Sequence, residues 1–181
     1  MKILLTTSRK TSQRVRQFIK EFTNLFPSSY VQRSNRGKKS LPDLFNESIN
    51  RYDRILIVTS KNGNPNKMLG YTKKDSEFLW SFELKLQSVK LSYEFGTDPL
   101  SIPIKTNLHF IDFAIELEQI FSSFFEPFID PELNPSLETA RDVFFRHIDK
   151  GFLLYAGDAE QQQNTIEILI KEIIIEDPDL N

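Results

Sequence analysis

The chain has 181 residues and no cysteine, enough for one compact domain, and it excludes disulfides, zinc–cysteine sites and thiol nucleophiles. Its net charge of −2 hides a division: residues 1–40 carry ten basic residues against the single acid Glu21, whereas the other 141 carry 13 basic and 24 acidic. Only four residues separate Met1 from Thr6, and no window approaches roughly eighteen apolar residues, so a soluble, cytoplasmic protein without leader or membrane span is expected.

The run Lys2 to Thr7 predicts a buried strand. From Ser12 the apolar residues Val15, Phe18, Ile19, Phe22, Leu25 and Phe26 follow one helix face, which Pro27 ends. Tyr30 to Arg33 predicts a short strand, followed by the polar loop "RSNRGKKS". Ser40, Pro42 and Asp43 then mark a helix start, with Leu41, Leu44, Phe45, Ile49 and Tyr52 as its stripe. "RILIVTS" at 54–60 is apolar without alternation, as a strand covered on both faces requires, and "KNGNPN" turns the chain. This order predicts a parallel sheet whose strand ends gather "TSRKTSQ", "NRGKKS" and "SKNGNPN" at one edge.

Further on, Phe78 to Leu86 alternate and the phase then slips to Val89, Leu91, Tyr93 and Phe95, which predicts a bulge near Gln87 and Ser88. Asn107 is expected to cap a helix with the face Phe110, Phe113, Ala114, Leu117, Ile120, Phe121 and Phe124. The prolines 127, 131 and 135 predict a connector, and strands are expected at 143–148, 152–155 and 165–175 before an acidic tail. The two halves, a basic 1–75 and an acidic 76–181 within a single domain, each place an aromatic-rich helix after a strand and loop, which a diverged duplication would explain. The sixteen phenylalanines fall mostly on such stripes and are read as packing rather than base-stacking residues.

Catalysis has little to stand on. Neither His109 nor His147 lies in a nucleophile–base pattern, and carboxylate pairs such as Glu116 with Glu118 are ordinary solvated charges. "RGKKS" lacks the glycine that a nucleotide-hydrolysing phosphate loop needs five positions before Gly37, where Gln32 stands. Anion binding fits better. Ser8, Arg9, Lys10, Thr11, Ser12 and Gln13 open a helix, where unpaired N–H groups and the helix dipole already favour negative charge, and Arg14 and Arg16 flank the apolar stripe. Arg36, Lys38 and Lys39 repeat the arrangement at the second helix, and Lys61 and Asn64 come from the third loop. A solvated basic face, an acidic protein partner and a polyanion such as RNA are the readings this pattern leaves open.

The strings "ILLTTSRKTSQRVRQFIKEF", "NRGKKSLPDLF" and "RILIVTSKNGNPNKM" resemble, in order and spacing, the N-terminal half of Brix-domain ribosome-biogenesis proteins of the short archaeal type. Thr6, Thr7, Ser8, Arg9, Lys10, Ser12, Gln13, Arg14 and Arg16 match the first motif, with Thr11 in place of its proline. Asn35, Arg36, Gly37, Lys38 and Ser40 match the second, and Gly63, Asn64 and Pro65 the third. The later glycine–proline motifs of the family are absent, "QQQNTIEI" standing in place of the last, so no RNA contact is carried over there. The resemblance implies two related α/β halves similar to the anticodon-binding domain of class IIa aminoacyl-tRNA synthetases. It further implies rRNA or a pre-ribosomal particle as partner, with ribosomal or assembly proteins beside it, and neither enzymatic activity nor cofactor. On this reading the expected RNA contacts are Arg9, Lys10, Ser12, Gln13, Arg14, Arg16, Arg36, Lys38, Lys39, Lys61 and Asn64.

Overall fold

The computed structural model describes residues 1–103, 105–125, 140–158 and 163–175. Strand β1 (Ile3–Thr7) is buried along its whole length and lies between two parallel neighbours, β2 (Val31–Arg33) and β3 (Arg54–Lys61). Helix α1 (Gln13–Thr23) links β1 to β2, and α2 (Leu41–Ser48) links β2 to β3. A hairpin follows, with Asn62 and Gly63 at φ 52° and 83°, the left-handed pair that a tight two-residue turn requires. It leads into β4 (Asn64–Lys74), β5 (Glu77–Lys90) and the single-turn α3 (Ser92–Phe95). The rest comprises β6 (Lys105–Ile111), α4 (Ile115–Phe125), β7 (Ala140–Ile148), β8 (Gly151–Asp158) and β9 (Gln163–Ile175).

Among the described residues the strands form one nine-stranded sheet in the order β2-β1-β3-β4-β5-β9-β8-β7-β6. Its pairing reads alike from both sides. β1 to β3 is parallel and β3 to β4 and β4 to β5 are antiparallel, just as β6 to β7 is parallel and β7 to β8 and β8 to β9 are antiparallel. The two series meet where β5 runs antiparallel to β9.

Helices α1 and α4 pack on one face of the sheet through phenylalanines: the rings of Phe22 in α1 and of Phe26 just after it lie 6.2 and 5.6 Å, centroid to centroid, from that of Phe125 in α4. Phe82, Phe121, Phe124 and Phe145 complete this core, so the phenylalanines do serve packing. The opposite face of the first half is smaller. There α2 covers Leu4, Ile55, Ile57 and Phe78 with Leu44.

Two sequence expectations change, and one strand had no expectation to meet. Residues 105–111, read from Asn107 onward as the start of a helix, are strand β6: Leu108 and Phe110 pack against the core while Asn107 and His109 alternate away from it. The spacing of Phe110 and Phe113 imitated a helical stripe because a strand's last inward residue falls close to the first inward residue of the helix that follows. Tyr93 and Phe95, read as strand, belong to α3. Strand β4 carried no alternation to read, since its buried positions include Pro65 and Gly70. Gly70 is required there, because a Cβ would stand 2.5 Å from the Phe82 ring. The predicted irregularity near Gln87 is present as register shifts between β5 and β9 on either side of Leu86. The proline connector and the acidic tail lie outside the described residues. No described helix is long and apolar enough to cross a membrane.

Candidate nucleic-acid interface

Parallel strands β1 and β3 end at the same edge, so the loops that follow them start side by side. Ser8 N–H donates to Val58 O at 2.9 Å and carries the pairing one residue past β1. Ser60 Oγ donates to Lys10 O at 3.0 Å, fixing the first loop to the third. Ser12 caps α1: its hydroxyl accepts from Val15 N–H at 3.2 Å and donates to the Gly63 carbonyl in the hairpin. The loop after β2 joins through arginines. Arg9 Nε and Arg36 Nε both donate to Lys39 O, at 3.1 and 3.0 Å. The three loops therefore converge, as the order of elements predicted.

Two guanidinium groups on one carbonyl concentrate positive charge. Burial, and then the neighbouring Arg9 charge, lower the pKa of Arg36 below the usual guanidinium value. Lys10, Lys38, Lys61 and Asn64 are exposed around this pair, and Gln13 is exposed on the first turn of α1. Arg16, one turn along, is exposed and reaches back to Thr11 O at 3.4 Å. The one acid of this segment, Glu21, faces away: it is 3% exposed and accepts from Gln17 Nε2 at 2.7 Å and from Ser92 N–H at 2.8 Å. It does not neutralise the face.

The structure alters the part played by several candidates. Arg14 does not join the cluster. It donates to Tyr93 Oη at 2.7 Å, Val89 O at 2.9 Å and Glu94 Oε2 at 2.8 Å, and so ties α1 to the end of β5. The mouth of α2 is also closed, because Ser40 and Asp43 form a capping box in which the Asp43 carboxylate takes the place an anion would occupy. The Ser40 hydroxyl and N–H hold the Asp43 carboxyl below its ordinary range, so it stays charged. Lys39 is paired with Glu47. By contrast α1 has no acid in its first turn, and its mouth stands beside Arg9 and Lys10. Arg33, outside the contacts expected from sequence, shares the α1 side of β2 with buried Val31, a two-residue alternation that the sequence carries but that three residues cannot announce.

The fold and this edge define an α/β module with a basic loop cluster at one end of its sheet; among the described residues no group of three or more His, Asp or Glu side chains could hold a metal. The Brix domain matches residues 8–169, and the chain belongs to that family. It is 36% identical over 112 residues to a "probable Brix domain-containing ribosomal biogenesis protein" of Thermococcus kodakarensis, an alignment covering 60% of this chain and 51% of that protein. A protein of the same description from Saccharolobus solfataricus is 32% identical over 120 residues, 66% of this chain and 58% of that one. The chain thus spans about half the length of the curated relatives it matches. The crystal structure of a probable ribosomal biogenesis protein from Aeropyrum pernix superposes with a TM-score of 0.71 at 23% identity, over 94% of this chain and 96% of that one. Mil, an archaeal Imp4-like protein, gives 0.64 at 17% identity over 96% and 99%. These two likenesses establish the fold.

Proposed function

We propose that this protein is a non-enzymatic assembly factor of ribosome biogenesis, acting in the cytoplasm, that holds rRNA of a pre-ribosomal particle by its phosphates. The observation that carries the reading is the convergence of Arg9 and Arg36 on Lys39 O beside the open mouth of α1. Arg9, Lys10, Arg16, Arg36 and Lys38 supply the charge, with Ser12 and Gln13 at the helix mouth and Lys61 and Asn64 on the flank. Lys39 contributes its carbonyl as the scaffold and its ammonium at the rim. Such contacts give affinity and orientation and leave sequence unread. The descriptions of the relatives support the biological setting.

The mirrored pairing of β1-β3-β4-β5 and β6-β7-β8-β9 supports two related halves of the anticodon-binding type, which meet where β5 pairs with β9. Reversing Arg9, Lys10 and Arg16 to glutamate tests the interface: RNA retention is lost while circular dichroism stays unchanged. Retention by the folded triple variant overturns the assignment. A complex that survives nuclease treatment intact would instead favour docking of an acidic protein.

A further inference from the structure

A cleft of about 270 Å³ opens between α1 and the end of β2, lined by Thr7, Arg16, Ile19, Arg33, Ser34 and Asn35. Its walls are fixed by the sheet. Ser34 N–H donates to Leu5 O at 3.0 Å, and Thr6 Oγ1 donates to Ser34 O at 2.7 Å, so the loop leaving β2 is pinned to β1 before anything binds. Two arginines face this space from different elements. Arg33 is exposed and lies on the α1 side of β2, and Arg16 is exposed on α1. Neither forms an ion pair among the described residues, and the bond from Arg16 to Thr11 O is long at 3.4 Å. Two like charges around one open space with no carboxylate between them repel, and an anion relieves that cost.

The size and lining say more. The cleft is several times larger than one phosphate group and comparable to a whole nucleotide. Ile19 gives it an apolar wall, while Thr7, Ser34 and Asn35 give it hydroxyl and amide groups. A base inside a duplex cannot reach such a recess, whereas an unpaired one can be turned out of the strand. We propose that this cleft receives one unpaired nucleotide of RNA, its phosphate between Arg16 and Arg33 and its base or sugar against Ile19. The proposal rests on the RNA reading above but differs from it, since phosphate contacts at the loop cluster take paired and unpaired RNA alike.

The test uses the full chain and two labelled RNA hairpins that differ by one bulged nucleotide, each of the four bases being placed there in turn, with binding read by fluorescence anisotropy. The wild type prefers at least one bulged hairpin by about tenfold. Arg33→Gln removes the charge and Ser34→Leu fills the space without changing charge; both lie at the surface, and both abolish the preference while affinity for the paired hairpin changes by less than about threefold. Failure of the wild type to bind either hairpin overturns the RNA reading itself. Equal binding of paired and bulged hairpins by the wild type overturns the cleft alone. A preference that survives both variants, or equal weakening of both hairpins by Arg33→Gln, likewise overturns the cleft and makes Arg33 one more phosphate contact at most.

Discussion

Arg14 of α1 donates to Glu94 of α3 at 2.8 Å across 80 residues of sequence, and the same guanidinium bonds Tyr93 Oη and Val89 O. One side chain thus anchors the first helix to the end of the strand at which the halves of the sheet meet. The Glu94 carboxylate also accepts from Leu91 N–H at 3.0 Å and so closes the turn it is tied to. Arg14→Ala is expected to lower stability by about 1–2 kcal/mol in urea unfolding, since three bonds are lost at a half-buried site. Arg14→Lys recovers little, because a single ammonium cannot reach all three acceptors. Loss of RNA affinity without loss of stability would instead place Arg14 in the interface.

Charge at the loop cluster is expected to show in the salt dependence. Arg9→Ala and Arg36→Ala should each flatten the slope of log affinity against log salt by about 0.7 for single-stranded RNA, the value for one released phosphate contact. Their effects should not add, because the two guanidinium groups share Lys39 O. A double variant whose loss equals the sum of the single losses would contradict that coupling.

Thr11 occupies the position at which the family carries proline, and its hydroxyl is buried without a hydrogen-bond partner among the described residues. Thr11→Pro removes that hydroxyl and restricts the unfolded chain just ahead of the α1 cap. It is expected to stabilise the protein by about 0.5–1 kcal/mol, read as a raised unfolding midpoint. A lowered midpoint would mean that the backbone at Thr11 departs from the proline geometry of its relatives.

Gly70 faces the Phe82 ring, and Gly70→Ala forces a Cβ to within 2.5 Å of it. Phe82 is fully buried among Phe121, Phe124 and Phe125 and has no room to retreat. A loss of about 1–3 kcal/mol is expected in denaturant unfolding, as for overpacked cores. Gly70→Ala combined with Phe82→Leu should recover part of it.

Acid should weaken the fold at two identified places. The Lys85 hydrogen bond holds Glu172 below its ordinary 4.5 across the β5–β9 seam. Burial alone would raise the Asp142 carboxyl, but hydrogen bonds from His109 and Asn107 outweigh it and leave it below 3.8. A carboxylate with a depressed folded pKa stabilises above its unfolded pKa, and that contribution disappears as pH falls through the folded value. Stability is therefore expected to drop below about pH 4, and Asp142→Asn with Glu172→Gln should flatten that limb. At the other extreme Glu172 raises the Lys85 pKa above 10.5, so that contribution is complete below 10.5 and is lost as pH rises through the folded value. An acid limb unchanged in the double variant would assign it to other carboxylates.

The sequence by itself determined the first half and its chemistry. The apolar run at Ile3 to Leu5, the helical stripe from Val15 to Phe26 and the continuous strand from Ile55 to Val58 are local periodicities, and local periodicity is set by backbone geometry. The family motifs and the concentration of cations in residues 1–40 are one-dimensional facts as well. Only tertiary structure decided what each charge does. Arg14 is held by Glu94, Glu21 is buried against Ser92, and Arg9 is brought to the carbonyl that Arg36 also reaches. It also decided the second half, where β6 becomes a strand because pairing with β7 satisfies its backbone and burial of Leu108 and Phe110 selects its phase. Hydrogen bonds and ion pairs between residues 30 to 80 positions apart leave no periodic trace in a chain, so they become legible only once the sheet has closed the distance.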